Sequence, residues 1–311
     1  MKTVTLLIPC YNEEASLSLL FNALTKLFDA EEQYRWQVLL INDGSRDSTL
    51  RLIKEQNRHD SRFGYLSLSR NFGKEAAMLA GFDHAQGDCV VIMDADLQHP
   101  LTVIPSMLHE WEAGYEDVYA MRITRGKEPW LRKVLTMFYY RLLQKVSDIE
   151  VLPNVGDFRL LDRKCIEALR QLRESQRYTK GMYCWIGFTK KEIRFEQGDR
   201  VMGRSSYNFW RLLKLSLDGI TSYTTSPLQV STVLGILVSL LAFCYICYIV
   251  VCTLVYGEPV RGYPTIMVTM LFLGGAQLLS LGVIGGYLGR IFHESKNRPV
   301  YIVSEMKNAI W

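Results

Sequence analysis

The chain has 311 residues, enough for one full α/β domain plus something smaller, so length alone allows one to three domains. A net charge of +4, from 36 basic and 32 acidic residues, is too slight for the footprint of a nucleic-acid binder. Seven cysteines (Cys10, Cys89, Cys165, Cys184, Cys244, Cys247 and Cys252) lie mostly in apolar stretches, without the neighbours of a metal site, and read as reduced thiols in a reducing compartment.

The chain starts directly on a strand-like run at 3–9, with no apolar leader and small-residue cleavage site, so the N-terminal part is expected not to be exported. Further strand-like segments fall near 37–42, 63–68, 88–93 and 117–121. Helical patterns lie between them, near 14–28, 46–58, 74–85 and 102–113. Strands alternating with helices of this length predict βαβ units and a mostly parallel sheet. After residue 121 the pattern loosens, as expected where a nucleotide-binding half gives way to an acceptor half.

Three strand ends carry polar residues suited to chemistry. The first strand runs into Pro9-Cys10-Tyr11-Asn12-Glu13-Glu14, which offers a flat ring and a carboxylate to a nucleobase and ribose. The second runs into Ile41-Asn42-Asp43-Gly44-Ser45, where Asp43 can accept from a base N–H and Ser45 can cap the next helix. The fourth ends in Asp94-Ala95-Asp96-Leu97-Gln98. Open α/β sheets bind ligands at the carboxyl ends of their strands. Two carboxylates with the Gln98 amide oxygen behind them suit Mg²⁺ or Mn²⁺ held together with a substrate's phosphates. An isolated Asp-x-Asp could equally be a solvated turn; three successive strand ends favour a site.

Two later stretches, 129–146 and 207–223, mix aromatic and basic residues and read as amphipathic helices at a bilayer interface, against the alternative of ordinary half-buried helices. Residues 219–257 and 262–289 contain no Asp, Glu, Lys or Arg. Their apolar cores, about 228–256 and 264–292, each exceed the ~20 residues a spanning helix needs. The short link between them predicts a transmembrane hairpin. Arg204, Arg211 and Lys214 precede the hairpin and Arg290, Lys296 and Arg298 follow it, which places both flanks on the cytoplasmic side. Gly274, Gly275, Gly282, Gly285, Gly286 and Gly289 would let helices approach closely, within the hairpin or between subunits, so self-association stays open.

The three strand-end motifs continue through Arg70-Asn71-Phe72-Gly73-Lys74, Arg122 and Arg200-Val201-Met202-Gly203-Arg204-Ser205-Ser206 to the two apolar stretches. Over nearly the whole chain this order resembles the polyprenyl-phosphate glycosyltransferases. These are inverting GT-A enzymes related to dolichol-phosphate mannose synthase, and the bacterial bactoprenol glucosyltransferases are the most similar among them. The resemblance implies an α/β GT-A domain at 1–200, a juxtamembrane interface helix at 201–227, two transmembrane helices within 228–292 and a cytoplasmic C-terminal tail at 293–311. It implies a multi-pass protein of the bacterial inner membrane, with its catalytic domain and both termini cytoplasmic. The partners would be a nucleotide-diphosphate sugar, a polyprenyl phosphate and the membrane, with no nucleic acid.

Carried over residue by residue, the resemblance gives Pro9, Tyr11, Glu13, Ile41 and Asp43 to the nucleoside. Asp94, Ala95, Asp96 and Gln98 go to the nucleotide, the metal (Mg²⁺ or Mn²⁺) and the diphosphate, and Arg122 and Arg200 to phosphate groups. Asp157, in Gly156-Asp157-Phe158-Arg159, would stand near the acceptor. It would take a proton from the acceptor phosphate, orient the nucleophile through Arg159, or simply pair with Arg159 for folding. Relatives often carry Lys where this chain has Ser206, so Arg204 either meets that phosphate charge or contacts lipid headgroups. The resemblance implies inverting hexose transfer to undecaprenyl phosphate, glucose from UDP-glucose first and GDP-mannose or a UDP-aminoarabinose derivative as alternatives, for O-antigen or other envelope glycan modification. A processive polysaccharide synthase fits poorly, because Gln33-Tyr34-Arg35-Trp36 has the wrong spacing for its signature and precedes the carboxylates. A catalytically degenerate scaffold or flippase partner would be expected to lose Asp94 and Asp96, which this chain keeps.

Overall fold

The computed structural model describes residues 1–123, 155–175, 177–195 and 262–309, together with scattered helical positions between 235 and 255. The described residues form two units, one built from 1–213 and the C-terminal segment from Arg298, the other essentially from 214–297.

In the first unit, strands and helices alternate as the apolar pattern predicts. They run β1 (Thr3–Cys10), α1 (Glu14–Ala30), β2 (Arg35–Asn42), α2 (Thr49–His59), β3 (Phe63–Leu68), α3 (Lys74–His84), β4 (Cys89–Ile92), α4 (Val103–Glu112) and β5 (Asp117–Arg122). Beyond them come β6 (Val155–Asp162), α5 (Arg163–Gln171), α6 (Thr179–Trp185), β7 (Lys190–Phe195) and, after the second unit, β8 (Val303–Lys307).

The eight described strands form one sheet in the order β7-β5-β6-β4-β1-β2-β3-β8. β3, β2, β1 and β4 are mutually parallel, and β6 runs antiparallel between β4 and β5. The stretch expected as a C-terminal tail supplies β8, an antiparallel edge strand on β3. An edge strand covered in this way no longer offers its open hydrogen-bonding row to other chains.

Strand residues alternate between two cores, as the period of 2 requires. Leu6, Ile8, Val38, Leu40 and Val91 pack with α1, α2 and α4 on one face. Leu7, Leu39, Ile41, Val90 and Ile92 pack with α3, α5 and α6 on the other. The second face is tight: a Cβ at Gly81 of α3 would lie 2.4 Å from the Leu7 Cδ1 of β1. Both faces of the parallel strands are therefore covered, which explains why those strands read as nearly continuous apolar runs.

The second unit contains α7 (Tyr263–Ser295), 33 residues long. Its segment Phe272–Ser295 is long and apolar enough to cross a membrane and is unburied throughout its most apolar window. Within the described residues it is the single helix of that kind, so the two-helix hairpin expected from the sequence is described for its second member only. The described positions of the first apolar stretch are helical and, apart from the partly buried Val238, exposed, among them Leu237, Leu241, Tyr245 and Val251. The amphipathic stretches at 129–146 and 207–223, the interface helix at 201–227 that contains the latter, and Arg200, Arg204 and Ser206 lie outside the described residues.

Candidate active site

The carboxyl ends of β1, β2 and β4 meet where the strand order reverses, with β2 on one side of β1 and β4 on the other. That switch point leaves a crevice between diverging loops. The loops after β1 and β2 are laced together. Asn12, in the left-handed region at φ 55°, donates its N–H to Ser45 Oγ (3.0 Å) and accepts from the Arg46 N–H through its side chain (2.9 Å). The Glu13 N–H donates to Thr49 Oγ1 (2.8 Å), and the Ser48 N–H donates to the Glu14 carboxylate (2.9 Å). Gly44, at φ 63°, lies so close to the loop after β3 that a Cβ there would come within 2.3 Å of the Arg70 carbonyl carbon.

Asp43 connects that third loop. It is 3% exposed, and its two carboxylate oxygens accept the backbone N–H groups of Phe72 (2.7 Å) and Gly73 (2.9 Å). Burial raises its carboxyl above the usual range, against the lowering effect of those two N–H groups. Asp43 is expected from the sequence to accept from a base N–H; in the structure both of its oxygens accept from the loop that leads into α3.

The Asp94–Gln98 turn is held from three sides. The Asp94 N–H donates to His99 Nδ1 (3.3 Å), and Asp96 Oδ1 accepts the Gln98 N–H (3.1 Å). Leu97 between them adopts φ 57° and packs against the core. A left-handed leucine costs about 1–2 kcal/mol, which these contacts must offset. His99 is buried and stacked on Phe158, with ring centroids 4.6 Å apart. Burial lowers its pKa and favours the neutral ring that can accept at Nδ1. Glu13 is close enough that, after burial, the Asp96 and Asp94 carboxylates also raise its pKa. The Asp94 and Asp96 carboxylates are oxygen donors of the kind a hard divalent cation takes. Among the described residues no group of three or more His, Cys, Asp or Glu is placed to hold a metal ion. A metal here would need further oxygens, as from a bound diphosphate.

Lys74, the first residue of α3, stands between two carboxylates. Its Nζ lies 2.6 Å from Asp94 Oδ1 and 2.8 Å from Asp157 Oδ2. Burial works against the ammonium, but the Asp94 and Asp157 carboxylates outweigh it and hold its pKa above the usual lysine range. Its side chain is still 41% exposed, as befits a group lining an open crevice. For Asp157, burial is likewise outweighed, by Lys74, Lys180 and Arg159, so its carboxyl stays below the usual range. Its Oδ1 is buried and has no hydrogen-bond partner among the described residues.

Arg159, the expected partner of Asp157, is engaged elsewhere. It pairs with buried Asp117 (Nη1 to Oδ2, 3.0 Å), and its guanidinium lies 3.7 Å from the Tyr183 ring centre. Its described ion pair is thus with Asp117 rather than with Asp157, although its charge still helps hold the Asp157 carboxyl low. Asp117 opposes a side chain that would otherwise be an uncompensated buried charge.

Other expected residues fall into clear groups. Tyr11 is 43% exposed and Pro9 partly so at the end of β1, both able to meet a ligand. The side chains of Ile41 and Ala95 are buried in the two cores, so only their backbones can face a nucleotide. Arg122 ends β5 beside Gly156, where a Cβ would stand 3.8 Å from its Nη2, next to Asp157 in the chain. Lys74, His99 and the Asp117–Arg159 pair escaped the sequence reading. The Arg70–Lys74 motif contained Lys74, but its partners stand 20 and 83 residues further along the chain.

The glycosyl transferase family 2 model matches residues 5–170, more than half of the chain. The chain is 43% identical over 302 residues to the putative glycosyltransferase CsbB of Bacillus subtilis (strain 168), covering 97% of this chain and 91% of that protein. It is 41% identical over 303 residues to an uncharacterized glycosyltransferase of Synechocystis, covering 97% and 95%. With the bactoprenol glucosyl transferase of Shigella phage SfV it shares 40% identity over 304 residues, covering 98% and 99%.

Proposed function

The chain belongs to glycosyl transferase family 2 as a polyprenyl-phosphate glycosyltransferase of the GT-A type, and we propose that it transfers a hexose from a nucleotide-diphosphate sugar to undecaprenyl phosphate. The donor we assign first is UDP-glucose, in keeping with full-length likeness to a bactoprenol glucosyl transferase. GDP-mannose and a UDP-aminoarabinose derivative are the alternative donors. The observation that carries the reading is the pair Asp94 and Asp96, at the end of β4 beside the switch point, in a turn braced by His99 and Leu97.

An oxygen of the lipid phosphate bonds to the sugar's anomeric carbon as the bond from that carbon to the diphosphate breaks, and the nucleoside diphosphate leaves with the electron pair. Attack from the opposite face inverts the sugar, so an α-linked donor gives a β-linked product. The acceptor oxygen is already anionic, which reduces the need for a strong base. Asp157 fits that demand, since its carboxyl is held ionised and salt-bridged to Lys74. Asp94, Asp96 and the Gln98 amide would hold Mg²⁺ or Mn²⁺, which when bound supplies positive charge at the leaving diphosphate. Tyr11 and Glu13 would face the nucleoside. Arg122, with Arg200 and Arg204 from the segment toward the membrane, would meet phosphate oxygens.

A lipid acceptor keeps its hydrocarbon in the bilayer, so the crevice must work at the membrane surface. The unburied apolar segment Phe272–Ser295 supports an anchor. With the charge-free stretch at 219–257 it would make a two-helix hairpin with both flanks cytoplasmic in the bacterial inner membrane. The product would be a lipid-linked sugar for O-antigen or other envelope glycan modification.

The test uses purified full-length protein in detergent with undecaprenyl phosphate, Mg²⁺ or Mn²⁺ and a panel of radiolabelled nucleotide sugars. A lipid-linked product is expected with UDP-glucose, and none with Asp96→Ala, which should still insert in membranes. No lipid product from any donor would reject the enzymatic reading in favour of a degenerate scaffold or flippase partner.

A further inference from the structure

The crevice contains a cation of its own. Lys74 Nζ sits 2.6 Å from Asp94 Oδ1, on the carboxylate assigned above to a divalent ion, and 2.8 Å from Asp157 Oδ2. Its backbone position is fixed from behind. The preceding Phe72 and Gly73 N–H groups are both held by Asp43, and the Phe72 ring lies 4.0 Å from the Arg70 guanidinium. The lysine is thus presented to Asp94 by a clamped loop rather than by a wandering side chain.

An ammonium has three donors, and two are used here. Asp157 offers a further acceptor, its buried Oδ1, which has no partner among the described residues. An unpaired buried carboxylate oxygen is costly, so Asp157 is unsatisfied while Lys74 is shared with Asp94. If Lys74 leaves Asp94, it can use both oxygens of Asp157. The lysine therefore has a second position already supplied with an acceptor.

We propose that Lys74 is the resident counter-ion of Asp94, which a divalent metal must displace toward Asp157, so that metal binds well only together with the nucleotide diphosphate. The proposal rests on the metal reading above and adds an order to it. Metal alone meets Asp94 already neutralised and must approach a like charge, whereas the diphosphate brings negative charge that offsets both penalties. Because coupling is reciprocal, the nucleotide must also bind more tightly when metal is present. Lys74 is a positioning residue in this scheme, and its displacement breaks and forms only ion pairs.

The test measures Mn²⁺ binding to full-length protein in detergent by the electron paramagnetic resonance of free Mn²⁺, with and without UDP. Wild type is expected to bind Mn²⁺ weakly alone and much more tightly with UDP. Lys74→Gln should tighten binding of Mn²⁺ alone by roughly tenfold or more and shrink the UDP enhancement by a similar factor. Lys74→Arg should keep the wild-type pattern. Asp157→Asn removes the second position and should move the affinity for Mn²⁺ alone the opposite way, weakening it several-fold. Opposite shifts from two variants cannot come from general loss of folding. Unchanged Mn²⁺ affinity in Lys74→Gln, with binding lost in Asp94→Asn, would overturn the role of Lys74 alone. Undiminished Mn²⁺ binding with UDP in Asp94→Asn would overturn the metal site itself.

Discussion

Replacing Asp43 with Asn separates two roles that look alike in sequence. If Asp43 reads a nucleobase, Asp43→Asn changes nucleotide affinity and leaves the free protein as it was. In the structure its carboxylate accepts two backbone N–H groups, from Phe72 at 2.7 Å and Gly73 at 2.9 Å, while 3% exposed. Asn keeps one acceptor oxygen and turns an NH₂ toward the other amide. One charge-assisted bond is lost and a buried N–H is left facing a donor. Hydrogen bonds to charged groups contribute about 1.5–3 kcal/mol, and an unsatisfied buried group costs about 1–3 kcal/mol. A net loosening of roughly 2–3 kcal/mol follows, kept below the sum because the loop can relax. At ~1.4 kcal/mol per factor of ten, protection of the Phe72 and Gly73 amides against hydrogen exchange should fall by roughly 30- to 150-fold. Since the same loop presents Lys74, transfer should fall with every nucleotide sugar, not with one. Unchanged exchange at Phe72 and Gly73 in the free variant would refute the clamp and return Asp43 to base recognition alone.

Two further predictions concern charges below the crevice. Arg159→Met or Asp117→Asn breaks an ion pair whose side chains are 2% and 0% exposed, and loss of one partner of such a pair costs about 3–5 kcal/mol. Both variants should lower the thermal midpoint by many degrees in detergent, and a shift of a degree or less would contradict the pairing. Asp157 has its carboxyl held below the usual range, because Lys74, Lys180 and Arg159 outweigh burial, while an unfolded aspartate titrates near ~3.9. Its stabilising contribution is therefore complete above that value and lost as the pH falls through the folded value below it. The difference in thermal midpoint between wild type and Asp157→Asn should stay constant from about pH 5 to 8 and narrow only in stronger acid. A difference that changes across neutral pH would mean that Asp157 is not held ionised by Lys74.

The parts of the fold legible in sequence were those whose pattern is local. Strands β1 to β5 and helices α1 to α4 follow from apolar runs and their spacing, because both faces of the central strands are buried. β6 was hidden by Asp157 and Arg159, charges that look misplaced in a strand until Asp117 and Lys74 are seen opposite them. β8 (Val-Ser-Glu-Met-Lys) is a mostly exposed edge strand with little apolar signal, and its place is set by β3, more than 230 residues earlier in sequence. In the site, Asp94 and Asp96 could be found because an apolar run ends on them. Lys74 and His99 could not be assigned roles in that way. Their roles depend on which loops the sheet order brings together, and the sequence carries no local mark of that.

That division also explains how the crevice can keep its carboxylates close together. The pKa of Glu13 is raised first by burial and then by the Asp96 and Asp94 carboxylates, so these acidic groups stand near enough to repel. Mutual repulsion would open a turn held only by its own backbone. Here the turn is fixed by groups that carry no net charge: the neutral His99 ring accepting from the Asp94 N–H, the Gln98 N–H on Asp96, and Leu97 packed on the core. The left-handed Leu97 is informative in this respect. Glycine would relieve about 1 kcal/mol or more of backbone strain there but would give up the apolar contact that ties the turn down. The fold thus keeps the strain, and with it an acidic turn whose charged partner Lys74 can be exchanged without loosening the backbone.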